Sequence, residues 1–265
     1  MVGTAGEGRL QTQDFDAKPL QQWRLPGRLR EISALALTDD ERLLAVDDEQ
    51  AVVYELDYDR GGLVKAFALG EPTLRQDLEG IAAIGNTVYL LTSDAQLYIA
   101  PEGEDGERVT FRHVDTGLGS QCEFEGLAAD AAGERLLLLC KEVRRKADID
   151  TLTIFVWRIA GESNAPEDAL RLPVELIAEA LDEDELHPSG IAVDRDSGNL
   201  ILVAARERAL IELEPNGNFL AARRLKSAKR HPQAEGIELT ADGRLILADE
   251  AGKRRALLTV YGGER

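Results

Sequence analysis

The chain has 265 residues, with 49 acidic and 31 basic side chains and a formal net charge of −18. A surface of this sign repels nucleic acid, which excludes non-specific nucleic-acid binding and makes cations the expected small partners. The 44% apolar content supports a buried core, and no run approaches the ~20 apolar residues of a membrane-spanning helix.

Residues 1–18 read as a flexible leading segment. Met1 to Asp16 is polar and Gly-rich and lacks the apolar run of a secretory signal. The expectation is a cytoplasmic chain, or an exported one from which a leader has been removed. From residue 19 to 265 a single domain is expected, because one motif recurs without a linker. It appears as Glu31-Ile32-Ser33-Ala34-Leu35-Ala36, then as Asp77-Leu78-Glu79-Gly80-Ile81-Ala82 and Glu123-Phe124-Glu125-Gly126-Leu127-Ala128. It returns as His187-Pro188-Ser189-Gly190-Ile191-Ala192 and Gln233-Ala234-Glu235-Gly236-Ile237-Glu238. The copies are spaced by 46, 46, 64 and 46 residues, which is the mark of a repeat architecture.

Each copy follows one plan. A turn rich in Asp, Gly and Asn comes first, at 38–41, 85–86, 131–133, 196–199 and 241–243. A short apolar strand follows at 43–46, 88–91, 136–140, 200–203 and 245–248. Third strands are expected at 52–56, 96–99, 152–159, 209–213 and 255–261. More polar fourth strands are expected at 63–69, 108–114, 170–177 and 219–225. Four antiparallel strands per unit make the chain an all-β, five-bladed β-propeller. The last copy has no room for a fourth strand, so the N-terminal strand at 19–25 is expected to complete the last blade and close the ring. The long interval reads as loops at 143–150 and 161–168, with a short helix over 174–186 started by Pro173.

Glu-Gly-Ile or Ser-Gly-Ile steps on five inner strands, each followed by an apolar strand ending in acids, resemble the SdiA-regulated (YjiK-like) bacterial β-propellers from about Trp23 to Tyr261. That resemblance implies a five-bladed propeller distantly similar to NHL-repeat proteins, with a bound calcium ion and no particular reaction. It also implies a periplasmic or envelope location if a leader has been removed. Ala34 in place of glycine departs from the pattern.

The first strand of each blade lines the central channel, so Ser33, Glu79, Glu125, Ser189 and Glu235 are expected to converge. Three carboxylates about 5 Å apart repel by about 3 kcal/mol per pair at an effective dielectric of 20. Protonation, bonds to backbone amides or a cation must relieve this. Hard oxygen donors without His or Cys favour calcium or magnesium over zinc. Glu79, Glu125 and Glu235 are therefore the expected metal ligands, with Ca2+ as the cofactor that the resemblance favours. A second set lies at the end of the second strand, at Asp47, Ser93, Lys141, Arg206 and Asp249. Acids follow each of these, at Asp48, Asp94, Glu142, Glu207 and Glu250, and are expected to accept hydrogen bonds from the next loop. Asp249 and Glu250 are further candidates for the channel.

Other apparent motifs dissolve. The run from Asp194 to Asn199 begins like a calcium loop but lacks the closing acid and reads as a hairpin turn. His113, His187 and His231 have no metal-ligand spacing, and no nucleophile elbow, phosphate loop or dinucleotide fingerprint occurs. Cys122 and Cys140 fall on neighbouring strands; two buried free thiols are expected, with an adjacent pair as the alternative. Functionally, the pattern points to a calcium-binding module that takes a small molecule or protein at the channel mouth. The alternatives are a calcium-dependent hydrolase, by analogy with lactonase and phytase-like propellers, and a scaffold without an ion.

Overall fold

The computed structural model describes residues 8–12, 18–144, 150–164, 168–225 and 229–263. A four-residue helix α1 (Arg9–Thr12) precedes β1 (Gln21–Arg24). Blade one is β2 (Ile32–Leu37), β3 (Leu43–Asp47), β4 (Val52–Leu56) and β5 (Leu63–Leu69), paired antiparallel in that order. Blade two is β6 (Leu78–Ile84), β7 (Thr87–Thr92), β8 (Gln96–Pro101) and β10 (Arg112–Asp115). Between β8 and β10, the two-residue β9 (Arg108–Val109) leaves its own blade and pairs parallel with β5. The strand expected at 108–114 is thus two short strands serving neighbouring blades.

Blade three is β11 (Cys122–Ala129), β12 (Arg135–Val143) and β13 (Thr151–Arg158), flanked by β14 (Ser163–Asn164) and β15 (Leu170–Pro173), both paired with β13. Helix α2 (Val174–Leu181) follows Pro173, as the sequence suggests, but stops five residues short of the expected end. Asp182 turns left-handed there, and Arg224 donates to the carbonyl of Leu181 at 3.1 Å. Blade four is β16 (Gly190–Val193), β17 (Leu200–Ala204), β18 (Ala209–Leu213) and β19 (Phe219–Arg224). Blade five is β20 (Ala234–Leu239), β21 (Leu245–Asp249) and β22 (Leu257–Val260), and β1 completes it, Trp23 lying opposite Leu258. Chain start and chain end therefore close one ring of five blades. Trp23 tightens the closure, reaching the carbonyl of Tyr58 in blade one with its indole N–H at 3.3 Å.

The core is five apolar layers, one between each pair of neighbouring blades. Leu35, Tyr54 and Ile246 share the layer between blades five and one. Leu44, Ile81 and Leu90 share the next. Alternating apolar residues on every strand supply the two faces of each blade. Leu10 of α1 is buried between blades four and five, and Glu212 accepts the amides of Arg9 and Leu10 at 2.9 and 2.8 Å. In the leading segment expected to be flexible, residues 8–12 are thus docked on blade four; the rest of it, apart from Lys18, lies outside the described residues. Parts of both expected long loops, 145–149 and 165–167, also lie outside them.

The cysteines correct the sequence expectation. Cys122 on β11 and Cys140 on β12 form a disulfide, with Cα atoms 5.8 Å apart, a separation that a bridge spans.

Two local devices position the channel residues. The inner strands β2, β6, β11 and β20 each carry a break in register at the repeat step, falling at Ser33, Glu79, Glu125 and Glu235. A bulge sets two residues against one and re-aims a side chain out of the ladder. The glycine after each glutamate, and after Ser189, then allows neighbouring inner strands to meet. A methyl added at Gly80 would lie 2.6 Å from Leu127 Cβ and 2.9 Å from its amide nitrogen; one at Gly190 would lie 2.3 Å from the carbonyl of Glu235.

Gly80→Ala and Gly190→Ala should each lower the melting temperature by several degrees. Overpacking of this kind costs about 1–3 kcal/mol, and 1 kcal/mol moves the midpoint of a chain this size by about 2–4 °C. Gly27→Ala, which would meet nothing within 4 Å, is the control. Equal midpoints for all three by calorimetry would contradict the close-approach requirement.

Candidate functional site

The bulges bring Ser33, Glu79, Glu125 and Glu235 to one end of the channel, as the repeat spacing predicts. They line a cavity of about 150 Å³ together with Glu31, Asp48, Gln233, Glu250 and Lys141. Six carboxylates and a single ammonium therefore share one small space. Lys141 arrives from the end of β12, where the second-strand set places it, and its Nζ is bonded to Glu125 Oε1 and lies 3.8 Å from Glu123.

Burial dominates the electrostatics. It pushes Glu79 up to about 9, helped by the charges of Glu125, Asp77 and Glu235. It pushes Glu235 up to about 8, with Glu125 the next contributor and a hydrogen bond from Gln233 opposing it. Glu125 is also raised by burial, although Lys141 pulls against it. Burial works against the charge on Lys141 as well, yet its bond to Glu125 carries the ammonium above its usual range. Asp48 is pushed up to about 7 by burial and then by Asp47. A site where Asp48, Glu79, Glu125 and Glu235 all resist ionisation lacks positive charge.

Two oxygens make the same point without any titration. Ser33 is 6% exposed and its Oγ has no hydrogen-bond partner among the described residues. Asp48 Oδ1 is likewise buried and unpartnered. Buried polar atoms are seldom left so unless something else satisfies them. Glu79 has no hydrogen bond or ion pair to any described residue.

A second chamber of about 330 Å³ shares Glu125, Lys141, Gln233 and Glu235 with this cavity in its lining. Arg206, His187 and Ser189 complete much of its wall. Ser189 is fully committed: its Oγ donates to the carbonyl of Ala234 at 2.8 Å and accepts the amide of Ala205 at 3.1 Å. His187 is held by Glu207, which receives both its amide and Nδ1, at 3.2 and 2.8 Å. The other end of the channel is lined mainly by alanines and aliphatic side chains, with Glu238 accepting the amide of Leu37 at 3.1 Å.

Asp249 does not join the channel acids. It is wholly buried and faces His231 Nδ1 at 2.8 Å, while His231 Nε2 meets the Tyr261 hydroxyl at 2.5 Å. Glu250 does line the cavity and is bonded to Gln233. Of the repeated acids, Glu207 and Glu250 bond residues that lead into their own inner strands instead of the loop that follows. Asp94 accepts the Thr92 hydroxyl at 2.5 Å. The Asp194 loop is the expected turn, taking the amide of Asp196 at 3.1 Å, and Arg9 also binds it, at 3.0 Å. The sequence places Lys141 in the second-strand set with Asp47 and Asp249, but its bond to Glu125 is not legible there. Its position at the end of the second strand is the signal that locates it.

Among the described residues, no group of three or more His, Cys, Asp or Glu side chains has the close convergence of a formed metal centre. The donors are of the hard-oxygen kind that calcium takes, and the unpartnered Ser33 and Asp48 oxygens suit one. Glu125, turned to Lys141, is the donor least available. Among the described residues, no helix is long and apolar enough to cross a membrane.

Known structures share the architecture. The glutaminyl cyclase of Myxococcus xanthus matches with a TM-score of 0.62 and 13% identity, over 92% of this chain and 94% of that one. A PQQ-bound aldose sugar dehydrogenase from Streptomyces coelicolor matches with a TM-score of 0.54 and 13% identity, over 92% and 97%. At such identities the likeness is one of fold alone. The SdiA-regulated family profile, by contrast, matches residues 9–251, nearly the whole propeller and all five repeat steps, and the chain belongs to the SdiA-regulated family.

Proposed function

We propose that this propeller is a binding module whose channel mouth takes a cation, with calcium the best-suited ion, and presents it to a small molecule or protein at the adjoining chamber. The observation that carries this reading is the ratio of six carboxylates to one ammonium in a cavity of about 150 Å³. Glu79 and Glu235, with Ser33 Oγ and Asp48 Oδ1, would hold the ion, and Glu125 would join on releasing Lys141. A bound calcium ion would supply the positive charge that the buried carboxylates lack and a Lewis-acidic point for an oxygen ligand.

A second reading, a calcium-dependent hydrolase, has one observation in its favour. His187, oriented through Nδ1 by Glu207 at the chamber wall, has the arrangement of a general base. Chelator-sensitive turnover of lactone, ester or phosphoester substrates that falls at least about tenfold in His187→Gln would support it. Turnover indifferent to that change would remove it.

Calcium should raise the melting temperature of the folded protein above its value in excess chelator, since a ligand of the folded state alone must stabilise it. Glu79→Gln with Glu235→Gln should erase the difference. An unchanged midpoint on adding calcium to the parent protein would end the ion reading.

In chelator, pH should act in the opposite sense to an ordinary salt-bridged acid. The unfolded chain releases the protons of Glu79 and Glu235 near 4.5, whereas the folded protein keeps them to about 9 and 8. The folded state thus binds more protons between these limits, and the contribution of the two groups to stability falls as pH rises from about 4.5 to about 9. Denaturant titrations across this window should show a shallower decline in the Glu79→Gln, Glu235→Gln variant, which should be more stable than the parent at pH ~8–9. Parallel curves for the two proteins would contradict the raised pKa values.

A further inference from the structure

The outer chamber differs from the inner cavity in carrying charge of both signs. Glu235 and the Glu125–Lys141 pair line it on the channel side. Arg206, in the turn between β17 and β18, lines it too, and is exposed with no hydrogen bond or ion pair to any described residue. On a chain of net charge −18, a guanidinium beside so many carboxylates would be expected to pair with one. It stands open to the chamber instead.

The inner cavity gives an independent sign of a ligand. Ser33 is more than nine-tenths buried, lines that cavity and leaves its hydroxyl without a partner. We propose that the mouth binds a small zwitterion, with its carboxylate on Arg206 and its protonated amine on Glu235 and Glu79. A simple cation would leave the guanidinium unused. A simple anion would have to settle next to Glu125 and Glu235. A ligand with both charges satisfies both ends, because a guanidinium grips a carboxylate through two parallel hydrogen bonds. An ammonium has three donors, enough for Glu235, Glu79 and the Ser33 hydroxyl. The two cavities, about 330 and 150 Å³, share Glu125, Lys141, Gln233 and Glu235 in their linings and have volume enough for a molecule of amino-acid size. The inference rests on the mouth being a cation site, with the amine of the ligand standing in place of the ion.

The test uses the whole protein and a series of amino acids that differ in the spacing of their charges: glycine, β-alanine, γ-aminobutyrate and 6-aminohexanoate. n-Butylamine and butyrate are the single-charge controls. Titration calorimetry and melting shifts are recorded near neutral pH, in chelator and then with calcium. At least one zwitterion should bind about tenfold or more tightly than either control. Arg206→Gln should remove that advantage while leaving any calcium shift in place, and Arg206→Lys should restore part of it. The proposal is overturned if butylamine matches the zwitterions, if none binds up to about 10 mM, or if Arg206→Gln binds as the parent does. A calcium shift without zwitterion preference overturns this inference alone; zwitterion preference without a calcium shift overturns only the ion reading.

Discussion

The close approach of inner strands around the channel axis is the constraint on which the rest depends. Neighbouring blades meet where Gly80 faces Leu127 and where Gly190 faces the carbonyl of Glu235. A side chain in these places would push the blades apart and loosen the apolar layers between them, since packed interiors yield little to an added methyl. The same narrowness forces whatever the preceding residue carries into a small common volume. Packing and site are thus two consequences of one dipeptide, the glycine closing the ring and the residue before it furnishing the mouth.

The cost of that arrangement is electrostatic. Glu79, Glu125 and Glu235 leave water without equivalent partners, and burial raises all three pKa values. Isolated buried charge is expensive enough that such groups protonate, pair or bind a cation. The protein uses at least the second of these, through Lys141. The contrast with the Asp249–His231–Tyr261 chain is instructive, because there a deeply buried carboxylate is met by a ring nitrogen and needs nothing from outside. The mouth is different because the Ser33 hydroxyl and Asp48 Oδ1 face a cavity and not a partner.

Much of this was legible in the sequence because it repeats. Five copies of one step, at three equal spacings and one longer one, gave five blades, and the missing fourth strand of the last copy gave closure by residues 19–25, where β1 indeed lies against β22. The convergence of Ser33, Glu79, Glu125 and Glu235 followed from the same count. What could not be read were features that break the repeat. The bulges are matters of register, which a strand pattern of alternating residues does not encode. β9 crosses to another blade because two residues find a free edge at β5. The Cys122–Cys140 bridge depends on the register around those bulges, and the sequence alone offered both outcomes. Arg206 and Lys141 lie beyond turns of unequal length; the pattern sets them level with Asp47 and Asp249 but does not encode that Lys141 bonds Glu125.

The departures from symmetry also explain why the lysine sits where it does. Around the ring the channel residues run Ser33, Glu79, Glu125, Ser189, Glu235 and back to Ser33. A serine therefore separates Glu235 from Glu79 and another separates Glu125 from Glu235, leaving Glu79 and Glu125 as the one pair of acids on adjacent blades. Glu125 is accordingly the charge that most raises Glu79, after burial itself. Five glutamates would have multiplied that repulsion at every blade boundary, at about 3 kcal/mol for each close pair. Two serines leave one boundary with an acid on each side, and there Lys141 bonds to Glu125. The neutralisation is one-sided: it satisfies Glu125 and leaves Glu79 without a bond to any described residue. The hydroxyl of Ser33, on the next blade, is left without a partner in the same cavity.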